Sequence, residues 1–457
     1  MILKSKKRLI LPVLIILCLL ASLAWGGWMW YDSNVDRSGW AEKDGIRFYR
    51  DFHADPVSGW LELEDGRYYF HPDGTPHTGW QEIDGHTYFF EDSGIMHTGW
   101  LKKDGKTHYF GGNGHMVEGW VWLPEGRYYL RGGELLTGWQ DIDGGTYYFD
   151  ENGLAAMDFT EIDGKTYYFA DGILLTGKAE IGGNHYLFGD DGAMHTGWRE
   201  TNFGHTYYRA DGTQVFGWEE IDGIRYHFDT TGIRANPGWL YLGEYAYYLD
   251  ENCTPVTGTQ KIDGEIRYFT PKGIEVTLVN AKNPVPSYYQ MTLMDVPDWG
   301  DQRVDQRCYY ALMQMLADCA AAGIEYEVNS TYRTIEYQTA ILEYRTLAHM
   351  ENLQISFEEA RKMALDTVAI PGTSEHHLGL AVDLLGDEAV KWFTEHCWDY
   401  GFIVRYTQDK EEITGITDEP WHFRYVGTEV SLDMKDSGLC LEEYLGADPV
   451  GSDIYYE

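Results

Sequence analysis

The chain has 457 residues, of which 73 are acidic and 35 basic, for a formal net charge of −38. No basic face exists to displace phosphate counterions, so nucleic-acid binding is excluded. Its 17 tryptophans and 35 tyrosines largely recur at a fixed interval, which makes an internal repeat the first feature to resolve.

At the N-terminus Lys4, Lys6, Lys7 and Arg8 precede an uncharged stretch from Leu9 to Trp30. A basic flank before an apolar segment long enough to span a bilayer predicts export, with residues 1–30 as a signal peptide or a membrane anchor. Ser22-Leu23-Ala24 suits a signal-peptidase cut, and Trp25, Trp28 and Trp30 suit either outcome. Cys18 lacks the preceding small residue that a lipoprotein signal needs. Residues 31–38 read as a linker.

Residues 39–275 form a tandem array. Gly-Trp recurs at Trp40, Trp60, Trp80, Trp100, Trp120 and Trp139, then at Trp198, Trp218 and Trp239. Phe159, Lys178 and Thr259 stand at the same place in degenerate copies, so about a dozen units of about twenty residues lie in register. One unit, Trp80 to Phe90, reads as strand, Asp84-Gly85 turn, strand. Asp-Gly between apolar runs signals a hairpin, because both turn positions need positive φ. A hairpin of this size cannot bury its aromatic face alone, but stacked neighbours can. The array is therefore predicted to be an all-β repeat solenoid, with Trp60, Trp80, Trp100, Trp120 and triplets such as Tyr147-Tyr148-Phe149 forming mostly inter-repeat core.

Residues 276–300 read as a second linker and 301–435 as a compact α+β domain, followed by an acidic tail over 436–457. Helical periodicity runs from Arg307 to Ala322 and stops at Gly323, and Ile324 to Val328 alternates like a strand. A second helix is predicted from Thr334 to Met350, and a third, opened by a Ser356/Glu359 capping box, through Ala369. Gly379 to Leu385 reads as a strand, Glu388 to Tyr400 as a helix stopped at Gly401, and Phe402 to Tyr406 and Trp421 to Val426 as strands. In the last of these His422, Arg424 and Val426 share one face, and Trp421, Phe423 and Tyr425 pack on the other.

Chemistry concentrates at His376, Asp383, Glu419 and His422. Two imidazoles and one carboxylate are a common ligand set for catalytic zinc, which leaves a fourth position for a water that the metal acidifies. Asp383 lies in an otherwise apolar strand, where a carboxylate needs a partner or a metal. His376 and Asp383 are an odd number of residues apart and would face opposite ways on one straight strand, so Gly379 is expected to mark a bend. Glu419, three residues before His422, is placed to act as general base. His377 is read as a pocket-wall residue, and His349 and His396 as packed or surface histidines.

The Ser374-x-His376-x-x-Gly379-x-Ala381-x-Asp383 and Glu419-x-x-His422 pair resembles the zinc D-alanyl-D-alanine carboxypeptidases of the VanY type, over Val304 to Gly427. The resemblance implies Zn²⁺ on His376, Asp383 and His422, with peptidoglycan stem peptides as substrate. It also implies a substrate-binding and oxyanion-stabilising role for Arg333, in Ser330-Thr331-Tyr332-Arg333. Tyr332, Gln338 and Ser374 are further candidate substrate contacts, Ser374 equally a residue that shapes its loop. Related sites cut L,D bonds or act as peptidoglycan endopeptidases, and a wall-binding adhesin with a vestigial peptidase domain is the alternative from another class. The repeats are similar to the cell-wall-binding repeats of bacterial surface proteins, choline- and glucan-binding versions among them. Where the choline type carries tryptophan before the Tyr-Tyr pair, this chain has Arg67, Thr146, Thr166 or Thr206, which removes one wall of an aromatic cage. A cell-wall polysaccharide or teichoic acid on exposed aromatics is thus the expected partner, with a non-binding spacer as the other reading.

Cys253, Cys308, Cys319, Cys397 and Cys440 have no metal-type spacing. Cys308 and Cys319 share a helix face about 16 Å apart, too far to bridge. Cys397 with Cys440 is one candidate pair, and an odd number leaves at least one thiol free or paired between molecules.

Overall fold

The computed structural model describes residues 36–451, with 16 and 20–22. The expected signal or anchor segment lies almost wholly outside the described residues. Among those residues no helix is long and apolar enough to cross a membrane. Internal packing divides the chain into two units, Met1–His195 and Thr196–Glu457.

The first unit is a series of antiparallel hairpins, of which Gly79–Ile83 with His86–Phe90 is representative. Its register pairs Trp80 with Phe89 and Gln81 with Tyr88. Asp84 and Gly85 take φ of 53° and 78°, the two left-handed positions of a type I′ turn. Successive hairpins are joined by aromatic contact: the Trp60 ring lies 4.9 Å from Tyr69 in its own hairpin, and 5.0 Å and 5.9 Å from Tyr88 and Phe90 in the next. Backbone bonds add to this, since Met96 N–H donates to Arg67 O at 2.7 Å and Met116 N–H to Thr87 O at 2.8 Å. The repeat is thus held by its neighbour, as its small size requires.

The second unit holds four more hairpins, the copies that begin at Trp198, Trp218, Trp239 and Thr259, and the C-terminal domain. Trp198 repeats the same contacts, 5.0 Å from Tyr207 and 5.2 Å from Tyr226 in the following hairpin. The C-terminal domain is built on an antiparallel sheet of β1 (Glu327–Ser330), β2 (Ala381–Leu385), β3 (Phe402–Tyr406) and β4 (Glu419–Tyr425), in the order β1-β2-β4-β3. Helices Gln306–Ala321 and Asp387–His396 bury Leu312, Met315 and Phe393 with Val382, Leu384 and Phe423 of the sheet. Phe423 and Tyr425 face this core as expected, whereas Trp421 at the strand's end is 39% exposed rather than packed. The Ser356/Glu359 capping box is formed, but its helix ends at Leu365, short of Ala369. All five described cysteines are free and buried, Cys397 and Cys440 included.

Two segments differ from their reading. Residues 276–300 are not a free linker: Val279 and Val296 sit in the domain core, and Val276 and Leu278 in a second apolar cluster. Residues 436–450 are not a solvated tail either, because Leu441 and Leu445 of the helix Leu441–Leu445 are buried in that same cluster. Their apolar spacing of i, i+4 outweighs the acidic composition around it. The cluster also takes in Tyr247 and Tyr268 from the last two hairpins and Ile274 just after them. Polar links reinforce it, with Tyr425 Oη donating to Glu244 at 2.7 Å and Lys272 Nζ to Asp433 at 2.9 Å.

The last hairpins are therefore part of the C-terminal domain's core. A fragment that starts at Ala281 should unfold at lower urea than one that starts at Thr196, measured by circular dichroism. Equal midpoints would contradict this packing.

Candidate metal centre

Strand register creates the centre. Asp383 of β2 lies directly opposite His422 of β4, which puts both side chains on one sheet face. His376 arrives from a short 3-10 helix, Glu375–Leu378, whose N-terminal cap is the Ser374 side chain. Gly379 follows with φ of +67°, and a Cβ there would come within 3.0 Å of the Asp305 amide nitrogen. The bend expected at Gly379 is thus also a close approach that only glycine allows.

Ligand atoms of His376, Asp383 and His422 all lie within 4.8 Å of one another, and all three residues are buried. Asp383 Oδ2 is 3.2 Å from His376 Nε2, and Oδ1 is 2.8 Å from His422 Nδ1. The far nitrogen of each ring is held separately: His376 Nδ1 is 2.6 Å from Thr331 O, and His422 Nε2 is 3.3 Å from Glu375 Oε2. Those oxygens accept from the far nitrogens, so with each ring neutral and its proton there, His376 Nε2 and His422 Nδ1 are the atoms open to a metal beside Asp383, whereas a protonated His422 donates to Asp383 and Glu375 alike. A donor set of two imidazoles and one carboxylate, each ring oriented by a second acceptor, fits a divalent transition metal.

Charge at the centre is uneven. Burial disfavours a charged His422, but its hydrogen bonds to Asp383 and Glu375 outweigh this and raise its pKa to about 9. Burial and the Arg333 charge lower His376 to about 4. Burial works against ionised Asp383, yet the two histidines hold it well below the ordinary carboxylate range. Glu419, partly buried at the start of β4 opposite Tyr406, is raised to about 7 by burial, with His422 opposing.

Arg333 joins the group. Its Nη2 donates to Asp383 Oδ2 at 2.6 Å, its Nε to Ser330 Oγ at 2.7 Å, and its Nη1 to Gln338 Oε1 at 3.4 Å. Gln338 is buried and donates in turn to Ala369 O at 2.9 Å, so it braces the guanidinium. Tyr332 is half-buried, with the Arg303 guanidinium 5.6 Å from its ring. His377 ties two loops together, its Nδ1 2.8 Å from Arg333 O and its Nε2 accepting from Gly372 N–H at 3.1 Å.

Sequence reading missed Glu375, Arg405, Arg424 and Glu442. Glu375 Oε1 accepts from Arg405 Nε at 2.9 Å and from Arg424 Nη1 at 2.8 Å. Arg405 then makes a two-pronged pair with Glu442, at 2.9 Å and 2.6 Å. The available signal was an arginine inside each of two apolar strands, a placement that demands a buried acid.

In the repeats the cation position is partly filled by the chain itself. The guanidiniums of Arg47, Arg67 and Arg225 stand 3.7, 4.3 and 4.1 Å from the ring centres of Trp40, Trp60 and Trp218. Register refines one comparison: Thr206 pairs with Arg199 and His205 with Glu200, so His205 rather than Thr206 is the counterpart of Arg67, which pairs with Glu62. Trp80 is 39% exposed and packs on Phe89 and His108, while Trp100 and Trp120 are half-buried against Tyr109 and Tyr129.

The D-alanyl-D-alanine carboxypeptidase (VanY) family model matches residues 301–428. A choline-binding repeat model matches 77–119 and 136–172, and a cell wall binding repeat model 217–233. A D-alanyl-D-alanine carboxypeptidase of Enterococcus faecalis is 40% identical over 178 residues, which is 37% of this chain and 65% of that protein's length. The bifunctional D-Ala-D-Ala dipeptidase and D-Ala-D-Ala carboxypeptidase VanXYC of Enterococcus gallinarum is 36% identical over 141 residues, 27% of this chain and 69% of that one. A vancomycin-resistance D,D-pentapeptidase VanY solved in complex with Zn(II) is 40% identical, covers 37% of this chain and 97% of that one, and has a TM-score of 0.35.

Metal uptake must displace the proton that His422 carries below about pH 9. Apparent zinc affinity should therefore rise about tenfold per pH unit between about pH 6 and 8 from this residue. Titration against a competing chelator checks it, and an affinity independent of pH would contradict the assignment.

Proposed function

Because the chain belongs to the VanY D-alanyl-D-alanine carboxypeptidase family, we propose that it is a zinc-dependent carboxypeptidase that removes the terminal D-alanine from D-Ala-D-Ala-ended peptidoglycan stem peptides. The observation that carries this is the convergence of His376, Asp383 and His422, each imidazole turned by a second acceptor, beside a carboxyl raised to about 7. Zinc held there would polarise the scissile carbonyl and make a water acidic enough to attack near neutral pH.

The remaining work falls to the chain's own groups. Glu419 takes the proton from the attacking water and delivers it to the leaving amine, and a pKa near neutrality serves both transfers. Arg333, steadied by Ser330 and Gln338, offers a fixed guanidinium to the charge that grows on the carbonyl oxygen. Tyr332 and Ser374 remain candidate contacts for the peptide, Ser374 through the loop it caps. The repeats keep the enzyme at the cell wall, with polysaccharide or teichoic acid as ligand. At Trp60 the Arg67 guanidinium already takes the place a quaternary ammonium would occupy. Segment 1–30 supports export, with attachment at the membrane as one arrangement.

The test is release of D-alanine from a D-Ala-D-Ala-ended stem pentapeptide by the chain from residue 31 onward, loaded with zinc. Release should stop on chelation, and Glu419→Gln should lower kcat by at least about a hundredfold while zinc stays bound. Zinc-loaded protein inactive on the pentapeptide, or a fully active Glu419→Gln variant, would contradict the proposal.

A further inference from the structure

Behind the centre lies a buried ionic chain that the reaction itself does not use. Glu375, Arg405, Arg424 and Glu442 are each 2% exposed or less, a burial that charged side chains tolerate only when fully paired. The four charges balance, and their hydrogen bonds run in one line from His422 Nε2 to Glu375, from Glu375 to Arg405, and from Arg405 to Glu442. Asn280 Nδ2 closes the far end on Glu442 Oε1 at 3.0 Å, and Arg424 Nη2 donates to Thr277 O at 2.8 Å. Glu442, Asn280 and Thr277 all lie outside residues 301–428, the span that the family model matches.

We propose that Glu375 is a positioning residue for the metal ligand His422, and that the C-terminal helix acts on the centre by holding Glu375 in place through Glu442 and Arg405. The inference rests on the zinc reading above. Once a metal takes Nδ1, the one proton of the His422 ring is on Nε2, and Glu375 Oε2, 3.3 Å away, is the acceptor that holds it and orients the ring. Glu375 can do this only while its other oxygen is pinned by Arg405 and Arg424.

Glu375→Gln exposes the dependence, because an amide has one accepting oxygen and one donating nitrogen. The oxygen must serve the two arginines, so the NH₂ group faces His422 Nε2. That ring nitrogen must then accept, which drives the proton to Nδ1 and blocks the ligand position. Glu442→Gln acts one step further away, since it deprives Arg405 of its two-pronged acid and loosens the carboxylate of Glu375.

Both variants are made in the chain from residue 31 onward and compared with the parent protein. The measurements are zinc affinity by chelator competition, the visible spectrum of the Co(II)-substituted protein, kcat and KM, and the denaturation midpoint of the metal-free form. Glu375→Gln should bind zinc about tenfold or more weakly, with an altered Co(II) spectrum and a lowered kcat at a KM within about twofold. Glu442→Gln should shift the affinity and the spectrum in the same direction by less. If Glu375→Gln does not fold, Glu442→Gln decides. A folded variant with unchanged zinc affinity and an unchanged Co(II) spectrum overturns the inference and leaves the proposed function standing. Failure of the parent protein to bind zinc overturns both.

Discussion

A carboxylate placed opposite an imidazole in the middle of a buried sheet is the constraint on which the C-terminal domain turns. The register of β2 with β4 sets Asp383 against His422, and neither group can be left without a partner at that depth. His376, Arg333 and Glu375 are the groups that meet this demand. Gly379 admits the chain reversal that brings His376 in, Thr331 and Glu375 turn the two rings, and Arg333 meets Asp383 from the side. The same demand makes the site receptive to a dication, because the metal-free arrangement retains a proton on His422 where a ligand bond is wanted.

The need for satisfied charge also ties the peptidase domain to segments beyond it in sequence. Glu375 requires arginines, Arg405 requires Glu442, and Arg424 reaches Thr277. The helix Leu441–Leu445 and the stretch after the last hairpin are consequently structural members of the domain. In the repeats the governing requirement is apolar rather than ionic. A two-stranded hairpin has too little interior of its own, so tryptophans such as Trp60 are shared between a tyrosine of their own hairpin and the aromatic residues of the following one.

What the sequence disclosed follows from the range of each interaction. Short-range signals were legible: the Asp84-Gly85 turn, the Ser356/Glu359 capping box, the bend at Gly379, and strand and helix limits that fall within a few residues of those observed. The spacing of His376, Asp383, Glu419 and His422 was also legible, since motif order carries it. The ionic line was not, because Glu375 and Arg424 are 49 residues apart and Arg405 and Glu442 are 37 apart. No periodicity links such positions. Residues 436–450 misled for a related reason: local composition is acidic, while the fate of Glu442 depends on an arginine in a distant strand. Gln338, expected as a substrate contact, also braces Arg333 in this structure, a partnership that only the folded chain reveals.

The central claim is that one metal ion is bound by His376 Nε2, Asp383 and His422 Nδ1. The most direct test is a crystal structure of the zinc-loaded protein with anomalous data collected at the zinc absorption edge. The account predicts a single strong peak at about 2.0–2.2 Å from those three residues. A peak held by other side chains, or ligation of His422 through Nε2, would contradict it.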